Sequence, residues 1–163
     1  MMKTSGQPAA SALERPRESV LGIGYALLVS AEQTGGAYEV MKFVVPAGNG
    51  PPPHRHARED ECFYLLDGEF EITLGDRALR ARAGDCIHLP RGVPHAFQNV
   101  GESLGSFLCW VVPGNLSGFF DAFKRDWPAD MPHPPAVTGD DVANLLAAAE
   151  KYGIEILAAG EPG

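Results

Sequence analysis

The chain has 163 residues, of which 45% are hydrophobic, so it can bury one core but is too short for two ordinary domains. Its 13 basic and 21 acidic residues give a formal net charge of -8, which argues against nucleic acid as a partner because phosphate binding requires basic patches. No stretch approaches the roughly 18 apolar residues that would indicate a membrane span, so we expect no membrane partner.

The N-terminal part of the chain is rich in Ala, Ser, Pro and charge, and it predicts a flexible tail over residues 1–17. The apolar run 20–29 has the composition of an export signal, but acidic residues and a proline interrupt the basic region before it. The three cysteines have no metal-like spacing and predict neither a disulfide framework nor a zinc knuckle. We therefore expect a reducing, cytoplasmic location, with export as the alternative.

Residues 18–113 alternate short β-prone runs with turn sequences, a pattern typical of a β-sandwich or a β-barrel. The predicted strands lie at 27–30, 38–45, 61–66, 70–74, 79–82, 86–89, 96–99 and 106–112. A turn is predicted at 33–36. Asp67-Gly68 predicts a hairpin between the strands on either side of it, because a two-residue primed turn requires positive φ.

Residues 114–163 have a different character and predict a helical extension that covers an edge or the outside of the β-layer. A short helix is predicted at 119–123 and a longer one at 140–152, with Gly153 as its C-terminal stop. In the longer helix, the apolar residues that recur at helical spacing are Val142, Leu145, Leu146, Ala149 and Tyr152.

Three imidazoles and one carboxylate form a set of the kind that holds a divalent transition metal, namely His54, His56, Glu61 and His95. Strand side chains alternate between faces, so His54 and His56 point to the same side. Glu61 joins them only if the chain turns at 57–60. We therefore predict that Glu61 lies on the returning antiparallel strand, as a cross-strand neighbour close enough to share one ion.

Alternation also predicts which residues line the cavity around this set. Phe63 and Leu65 share a face with Glu61, whereas Phe97 and Asn99 share a face with His95. The two phenylalanines are expected to wall the cavity, although simple core packing explains them equally well. An apolar cavity with few polar groups would suit an aromatic small molecule.

The glycines and prolines around the four ligand candidates also fall at fixed intervals. The two stretches are Gly48-x5-His54-x-His56-x4-Glu61-x6-Gly68 and Gly84-x5-Pro90-x-Gly92-x2-His95-x3-Asn99. Position for position they resemble the two signature motifs of the cupin superfamily. The resemblance implies an all-β fold with minor helix, a small antiparallel jelly-roll barrel over about residues 20–113, and a homodimer.

The same resemblance implies one divalent transition metal per chain, either Fe, Mn, Ni, Co, Cu or Zn, bound by the three histidines and Glu61. Glu59 and Asp60 are competing carboxylates, but the motif and the strand geometry favour Glu61. His88 has the parity opposite to its strand neighbours, which is more typical of a surface histidine than of a ligand.

Among single-domain cupins, the chain resembles quercetin 2,3-dioxygenase-type proteins around His54, at 63–68 and at 150–155. This resemblance implies oxygen-dependent cleavage of a flavonol or another enolic aromatic substrate. Glu61 would then accept the substrate hydroxyl proton as well as bind the ion. Two alternatives stay open: a cupin that binds a small ligand without turnover, and a redox-neutral metal-dependent isomerase, lyase or hydrolase.

Overall fold

Residues 14–158 are described by the structure, a computed structural model, and they form two antiparallel β-sheets with three helices. The strands are β1 (Glu18–Val20), β2 (Ile23–Val29), β3 (Glu39–Val45), β4 (His54–His56), β5 (Asp60–Asp67), β6 (Glu69–Leu74), β7 (Arg77–Arg82), β8 (Cys86–Leu89), β9 (His95–Asn99), β10 (Gly105–Val112), β11 (Arg125–Asp126) and β12 (Ile154–Ile156). The helices are α1 (Ala31–Thr34), α2 (Ser117–Asp121) and α3 (Gly139–Tyr152).

The predicted strands are confirmed, and apart from β2, which begins at Ile23 rather than at residue 27, their bounds agree within two residues. The seven-stranded sheet has the order β11-β1-β2-β3-β10-β5-β8, and the five-stranded sheet has the order β12-β4-β9-β6-β7. Their inner faces pack together around buried aromatic and aliphatic side chains such as Phe70 and Phe107. Within residues 14–158 no strand pairing joins the two sheets, so the predicted barrel is a jelly-roll sandwich rather than a closed cylinder.

The predicted hairpin at Asp67-Gly68 is wrong, although the backbone requirement behind it is correct. Gly68 has a positive φ of 86°, and a Cβ there would lie 2.7 Å from the Cα of Gly105. However, β5 pairs with β10 and β8, whereas β6 pairs with β7 and β9. The Asp67-Gly68 turn is therefore a corner at which the chain passes from one sheet to the other.

The predicted turn at 33–36 overlaps a short helix, α1, which includes its first two residues. Ser30 caps α1 by accepting a hydrogen bond from the Gln33 backbone N–H, while the Gln33 side chain accepts one from the Ser30 N–H. This reciprocal pair is a capping box. Gly35 then ends the helix with a left-handed backbone. Local side-chain hydrogen bonds thus produce a helix where the glycines alone indicated a turn.

The C-terminal extension contains both predicted helices and also supplies an edge strand to each sheet. β11 pairs with β1, and β12 pairs with β4. α3 ends at Gly153 as expected, with a φ of 68°. Leu145 and Ala149 are buried, whereas Val142 and Leu146, predicted on the same apolar stripe, are 43% and 55% exposed. No helix of the described chain is long and apolar enough to cross a membrane.

The predicted N-terminal tail falls mostly outside the described residues, which begin at Glu14. Its last residues pack against the segment that follows β11. Arg15 Nη2 donates a hydrogen bond to the Met131 carbonyl at 2.6 Å, and the guanidinium carbon lies 3.9 Å from the centre of the Trp127 ring. Trp127 itself is 2% exposed. This contact anchors the start of β1 to the C-terminal extension.

Candidate metal centre

The four ligand candidates from separate stretches of the chain converge between the two sheets. His54 and His56 lie on β4 and His95 lies on β9 of the five-stranded sheet, while Glu61 lies on β5 of the other sheet. One nitrogen or oxygen atom from each residue lies within 4.8 Å of those of the other three. Metal–ligand bonds of about 2.0–2.2 Å place opposite ligands of one ion a little over 4 Å apart, so this cluster is able to bind a metal ion.

The strand pairing behind the cluster differs from the predicted one. His54 is the cross-strand partner of His95, whereas Glu61 pairs with Leu89 and Val111 in the other sheet. Glu61 therefore reaches the histidines across the sandwich, and the predicted cross-strand contact between β4 and β5 is wrong. The chain does turn at residues 57–60, but it changes sheets there. Strand alternation is the same for a hairpin and for a corner between sheets, so the sequence pattern did not separate the two.

Two ligand atoms of the cluster, Glu61 Oε2 and His95 Nε2, are buried and lack hydrogen-bond partners among the described residues. Glu61 Oε2 lies 3.0 Å from His95 Nε2 and 3.4 Å from His56 Nε2. The 3.0 Å contact does not have hydrogen-bond geometry, and neither Glu61 Oε2 nor His95 Nε2 has a partner among residues 14–158. Leaving buried polar atoms unpaired costs free energy. A divalent cation would satisfy both atoms, so these residues fit a metal ion.

Two of the histidines are held by backbone carbonyls in the tautomer that metal binding needs. His54 Nδ1 lies 2.9 Å from the Pro52 carbonyl oxygen, and His95 Nδ1 lies 3.2 Å from that of Val93. A carbonyl oxygen only accepts hydrogen bonds, so each Nδ1 carries the proton. The Nε2 lone pair of each ring is therefore free to bind a metal.

Glu61 is oriented by a buried thiol and kept ionised by the histidines. Cys109 Sγ donates a hydrogen bond to Glu61 Oε1 at 3.4 Å, which leaves Oε2 directed at the imidazoles. Burial alone would raise the pKa of Glu61, but the imidazoles, His56 foremost, hold it at about 2. Burial and then Glu61 raise the pKa of Cys109 well above its usual value, so its S–H stays available as a donor.

Metal binding at this cluster is expected to weaken first through protonation of His56. Burial lowers the pKa of His56, but the carboxylates of Glu61 and Glu59 outweigh burial and raise it above its ordinary 6.5. Burial, followed by the other two imidazoles, lowers the pKa of His54 to about 3. As pH falls from 8, His56 therefore takes up a proton before His54 or Glu61 does, and protonated imidazole does not bind metal.

We expect bound metal to be released as pH falls, in exchange for about one proton per ion at the start of the transition, because metal and proton compete for His56. Elemental analysis after dialysis at each pH against a fixed free-metal concentration measures this directly. Metal content that stays constant down to pH 5 would contradict ligation by His56.

A cavity of about 80 Å³ adjoins the cluster, and its lining is almost entirely apolar. His54, His56 and Glu61 form its polar end. Among its apolar lining residues are Phe63 and Phe97 from the sheets, and Phe120, Leu145 and Ile154 from the C-terminal extension. The Phe63 and Phe97 rings pack edge to face, with their centres 5.7 Å apart. The C-terminal helices thus contribute to the lining of this cavity.

Leu65 and Asn99, which were also predicted to line the cavity, lie elsewhere. Leu65 is 1% exposed within the core. Asn99 Nδ2 donates hydrogen bonds to the carbonyls of Val45 and Ser103, and its Oδ1 accepts one from the Gly101 N–H. Asn99 is at the far end of β9, about 13 Å along the strand from His95 at 3.3 Å per residue. Its side chain therefore organises the turn after β9.

Glu59 and Ile154 also lie at the site, and neither was predicted there from the sequence. Glu59 is 3% exposed and faces His56, and its parity with Glu61 could have indicated this. Asp60 instead accepts hydrogen bonds from Arg91 at the surface, and His88 is exposed. Ile154 reaches the cavity only because β12 pairs with β4, and no local pattern predicts that pairing.

Comparison with known proteins finds the same fold in solved structures and a family match over the strand-rich middle of the chain. Residues 41–111 match the cupin domain family. A Thermotoga maritima protein that is described as a predicted oxalate decarboxylase superposes with a TM-score of 0.59. The two sequences are 23% identical, and the superposition covers 66% of this chain and 99% of that one. A double-stranded β-helix protein from Klebsiella pneumoniae superposes with a TM-score of 0.58 at 22% identity, over 68% and 93% of the two chains. At these identities the likeness concerns the fold alone.

Two curated relatives resemble parts of the chain. An uncharacterised protein of Methanocaldococcus jannaschii is 31% identical over 70 residues, which cover 43% of this chain and 56% of the relative. The quercetin 2,3-dioxygenase of Bacillus subtilis is 23% identical over 118 residues, which cover 72% of this chain and 34% of that enzyme. The chain thus spans between about a third and just over half of the length of these two proteins.

Proposed function

We propose that this chain, whose residues 41–111 match the cupin domain family, is a metal-dependent dioxygenase acting on a small enolic or aromatic substrate. One juxtaposition carries the proposal: three histidines and Glu61, able to bind a metal, form the polar end of an apolar cavity with aromatic walls. The partial likeness to a quercetin 2,3-dioxygenase supports the same reaction class. A single divalent transition metal per chain is part of the proposal.

The residues around the cavity have different roles in the proposed reaction. A metal bound by the three histidines and Glu61 would supply Lewis acidity and redox chemistry with dioxygen. Phe63 and Phe97 exclude water and pack against the ring of the substrate. Glu61 would accept the proton of an enolic hydroxyl in addition to binding the metal.

The size and polarity of the cavity restrict the substrate. A volume of about 80 Å³ is well below the roughly 300–1,000 Å³ of pockets that enclose larger ligands. A single-ring enol therefore needs less displacement of α2 and α3 than a flavonol does. Among the described lining residues there is no Lys or Arg, which disfavours a dianionic substrate because its charges would be buried without a counterion.

Oxygen consumption tests the proposal. Metal-free protein is reloaded separately with iron, manganese, nickel, cobalt or copper, and oxygen uptake is recorded with catechols, 1,3-diketones and flavonols. We expect at least one combination to consume oxygen in step with substrate, and single-ring substrates to react faster than flavonols. Asp60→Asn, which alters a surface carboxylate bound to Arg91, serves as a control and should leave the rate unchanged.

The outcomes of that assay also separate the alternatives. Absence of oxygen uptake in every combination would contradict a dioxygenase. Substrate turnover that continues without oxygen would instead indicate a redox-neutral isomerase, lyase or hydrolase. A ligand recovered unchanged from the purified protein, together with no turnover, would indicate a binding cupin.

A further inference from the structure

We infer that Glu59 is a positioning residue for the candidate metal centre: its carboxylate accepts the Nδ1 proton of His56 and so directs Nε2 of that ring at the metal. The inference rests on the metal site of the proposed function. It assigns a role to a buried carboxylate that the ligand set does not include.

Glu59 Oε2 and His56 Nδ1 are two buried atoms that face each other and have no other partner among the described residues. Glu59 is 3% exposed and His56 is 4% exposed. Glu59 Oε2 lies 3.6 Å from His56 Nδ1, and neither atom has a hydrogen-bond partner among residues 14–158. The gap exceeds the upper end of the N–H···O range by only about 0.4 Å. A small rotation of the carboxylate closes it, and satisfying both atoms removes the cost of burying them unpaired.

The backbone around Glu59 is fixed by its neighbours, which sets the direction of its side chain. The Ala57 N–H donates a hydrogen bond to the Gly153 carbonyl at 2.8 Å, and the His56 carbonyl accepts one from the Gly92 N–H at 2.7 Å. Asp60 turns outward to Arg91. Glu59 therefore points inward, and so does Glu61 two residues later.

The His56 ring consequently lies between two carboxylates, one at each ring nitrogen. Glu59 faces Nδ1 at 3.6 Å, and Glu61 faces Nε2 at 3.4 Å. Glu59 is on the side of the ring away from the other ligands and is absent from the group whose ligand atoms lie within 4.8 Å of one another. It is therefore placed to act on His56 rather than to bind the ion itself.

Comparison with the other two histidines indicates what this carboxylate does. His54 and His95 each donate Nδ1–H to a backbone carbonyl, so their tautomers are set. His56 has no carbonyl in this position, and Glu59 is the acceptor available to it. A carboxylate is a stronger acceptor than a neutral carbonyl, and it makes the imidazole a more basic ligand. Each of the three imidazoles thus has an acceptor for its Nδ1 proton, and the acceptor facing His56 is the strongest of the three.

Metal affinity tests this inference independently of turnover. Native protein, Glu59→Ala, Glu59→Gln and the control Asp60→Asn are titrated with Co²⁺ in competition with a chromophoric chelator at pH 7.5. We expect Glu59→Ala to weaken Co²⁺ binding about 10- to 100-fold, the usual effect of losing an acceptor behind a metal-binding histidine. Glu59→Gln keeps an acceptor oxygen without the charge and should lose less. Asp60→Asn removes the same charge from the adjacent residue. Its Co²⁺ affinity should stay within about twofold of native, because exposed charges are screened by solvent.

A spectroscopic measurement separates positioning from a structural role. Imidazole ¹⁵N shifts of the Zn²⁺-loaded protein should show His56 protonated at Nδ1 in the native chain, with this resonance altered in Glu59→Ala and partly restored in Glu59→Gln. A merely structural effect would lower the thermal stability of the metal-free variants and leave the His56 resonance unchanged.

Three results would overturn the inference. Co²⁺ affinities within twofold of native for both Glu59 variants would do so, as would an equal loss in Asp60→Asn, which would indicate a general charge effect. If the native chain binds neither Co²⁺ nor Zn²⁺, both this inference and the proposed metal site fail. Native binding with unaffected Glu59 variants would contradict the inference alone.

Discussion

Replacing His95 by alanine is expected to abolish tight metal binding while the chain still folds. His95 is 3% exposed, and its Nε2 is a buried atom that lacks a hydrogen-bond partner among residues 14–158. Its removal takes away a ligand and leaves Glu61 Oε2 without its nearest neighbour at 3.0 Å. The loss in affinity should therefore exceed the about 10- to 100-fold that follows loss of an outer partner.

The measurement is elemental analysis of protein purified without chelators or nickel columns, followed by a competition titration with the metal found. The matched control is His88→Ala, because His88 is an exposed histidine on β8 and lies outside the cluster. Unfolding of metal-free His95→Ala should match that of the metal-free native chain within about 1–2 kcal/mol, since the substitution also removes an unsatisfied buried group. Native metal content in His95→Ala would contradict the assignment of the centre.

Replacing Glu39 by alanine is expected to cause the largest loss of stability, by about 3–5 kcal/mol, because it leaves several buried donors unpaired. Glu39 lies on β3 and is 1% exposed. Its Oε2 accepts hydrogen bonds from the backbone N–H groups of Leu116 at 2.7 Å and Ser117 at 3.0 Å, and its Oε1 accepts one from the Ser117 hydroxyl at 2.6 Å. These bonds tie α2 to the seven-stranded sheet.

This substitution should also affect the cavity, because the segment that Glu39 anchors carries Phe119, Phe120 and Phe123, all of which line it. Urea unfolding of the metal-free protein measures the stability loss, and binding of a hydrophobic dye reports opening of the cavity. Ser117→Ala, which removes one of the three hydrogen bonds, should cost about 1 kcal/mol. The exposed carboxylate Glu32 provides the control, and Glu32→Ala should change stability by less than about 0.5 kcal/mol. A loss below about 1 kcal/mol in Glu39→Ala would contradict the anchoring role.

The strands and the ligand candidates were accessible from the sequence because both depend on local intervals. Alternation along a strand sets which side chains share a face, and glycines mark the turns that need positive φ, as Gly68 and Gly153 do. The spacing of His54 and His56 is a property of one strand. The family match over residues 41–111 agrees with the motif resemblance found in the same region.

The errors share one physical cause: the sequence pattern does not record which strand lies beside which. The sequence pattern predicts β4 and β5 in one sheet, whereas they lie in two sheets. Asp67-Gly68 predicts a hairpin, whereas it forms a corner between the sheets. Very short edge strands such as β11 and β12 contain too few residues for the alternation of buried and exposed side chains to be visible in the sequence. Val142 and Leu146 are exposed although they fit the helical spacing, because the stripe of α3 that is covered depends on how the helix packs.

By itself, then, the sequence determined a β-rich domain with a jelly-roll pattern of strands and a set of three histidines and one glutamate with metal-binding spacing. The tertiary structure alone decided that Glu61 crosses from the opposite sheet, that Cys109 bonds to Glu61 while Glu59 faces His56, and that the C-terminal segment lines the cavity. The reason is that side-chain direction follows from two-residue periodicity within a strand, whereas the packing of distant segments depends on long-range contacts that leave no local repeat.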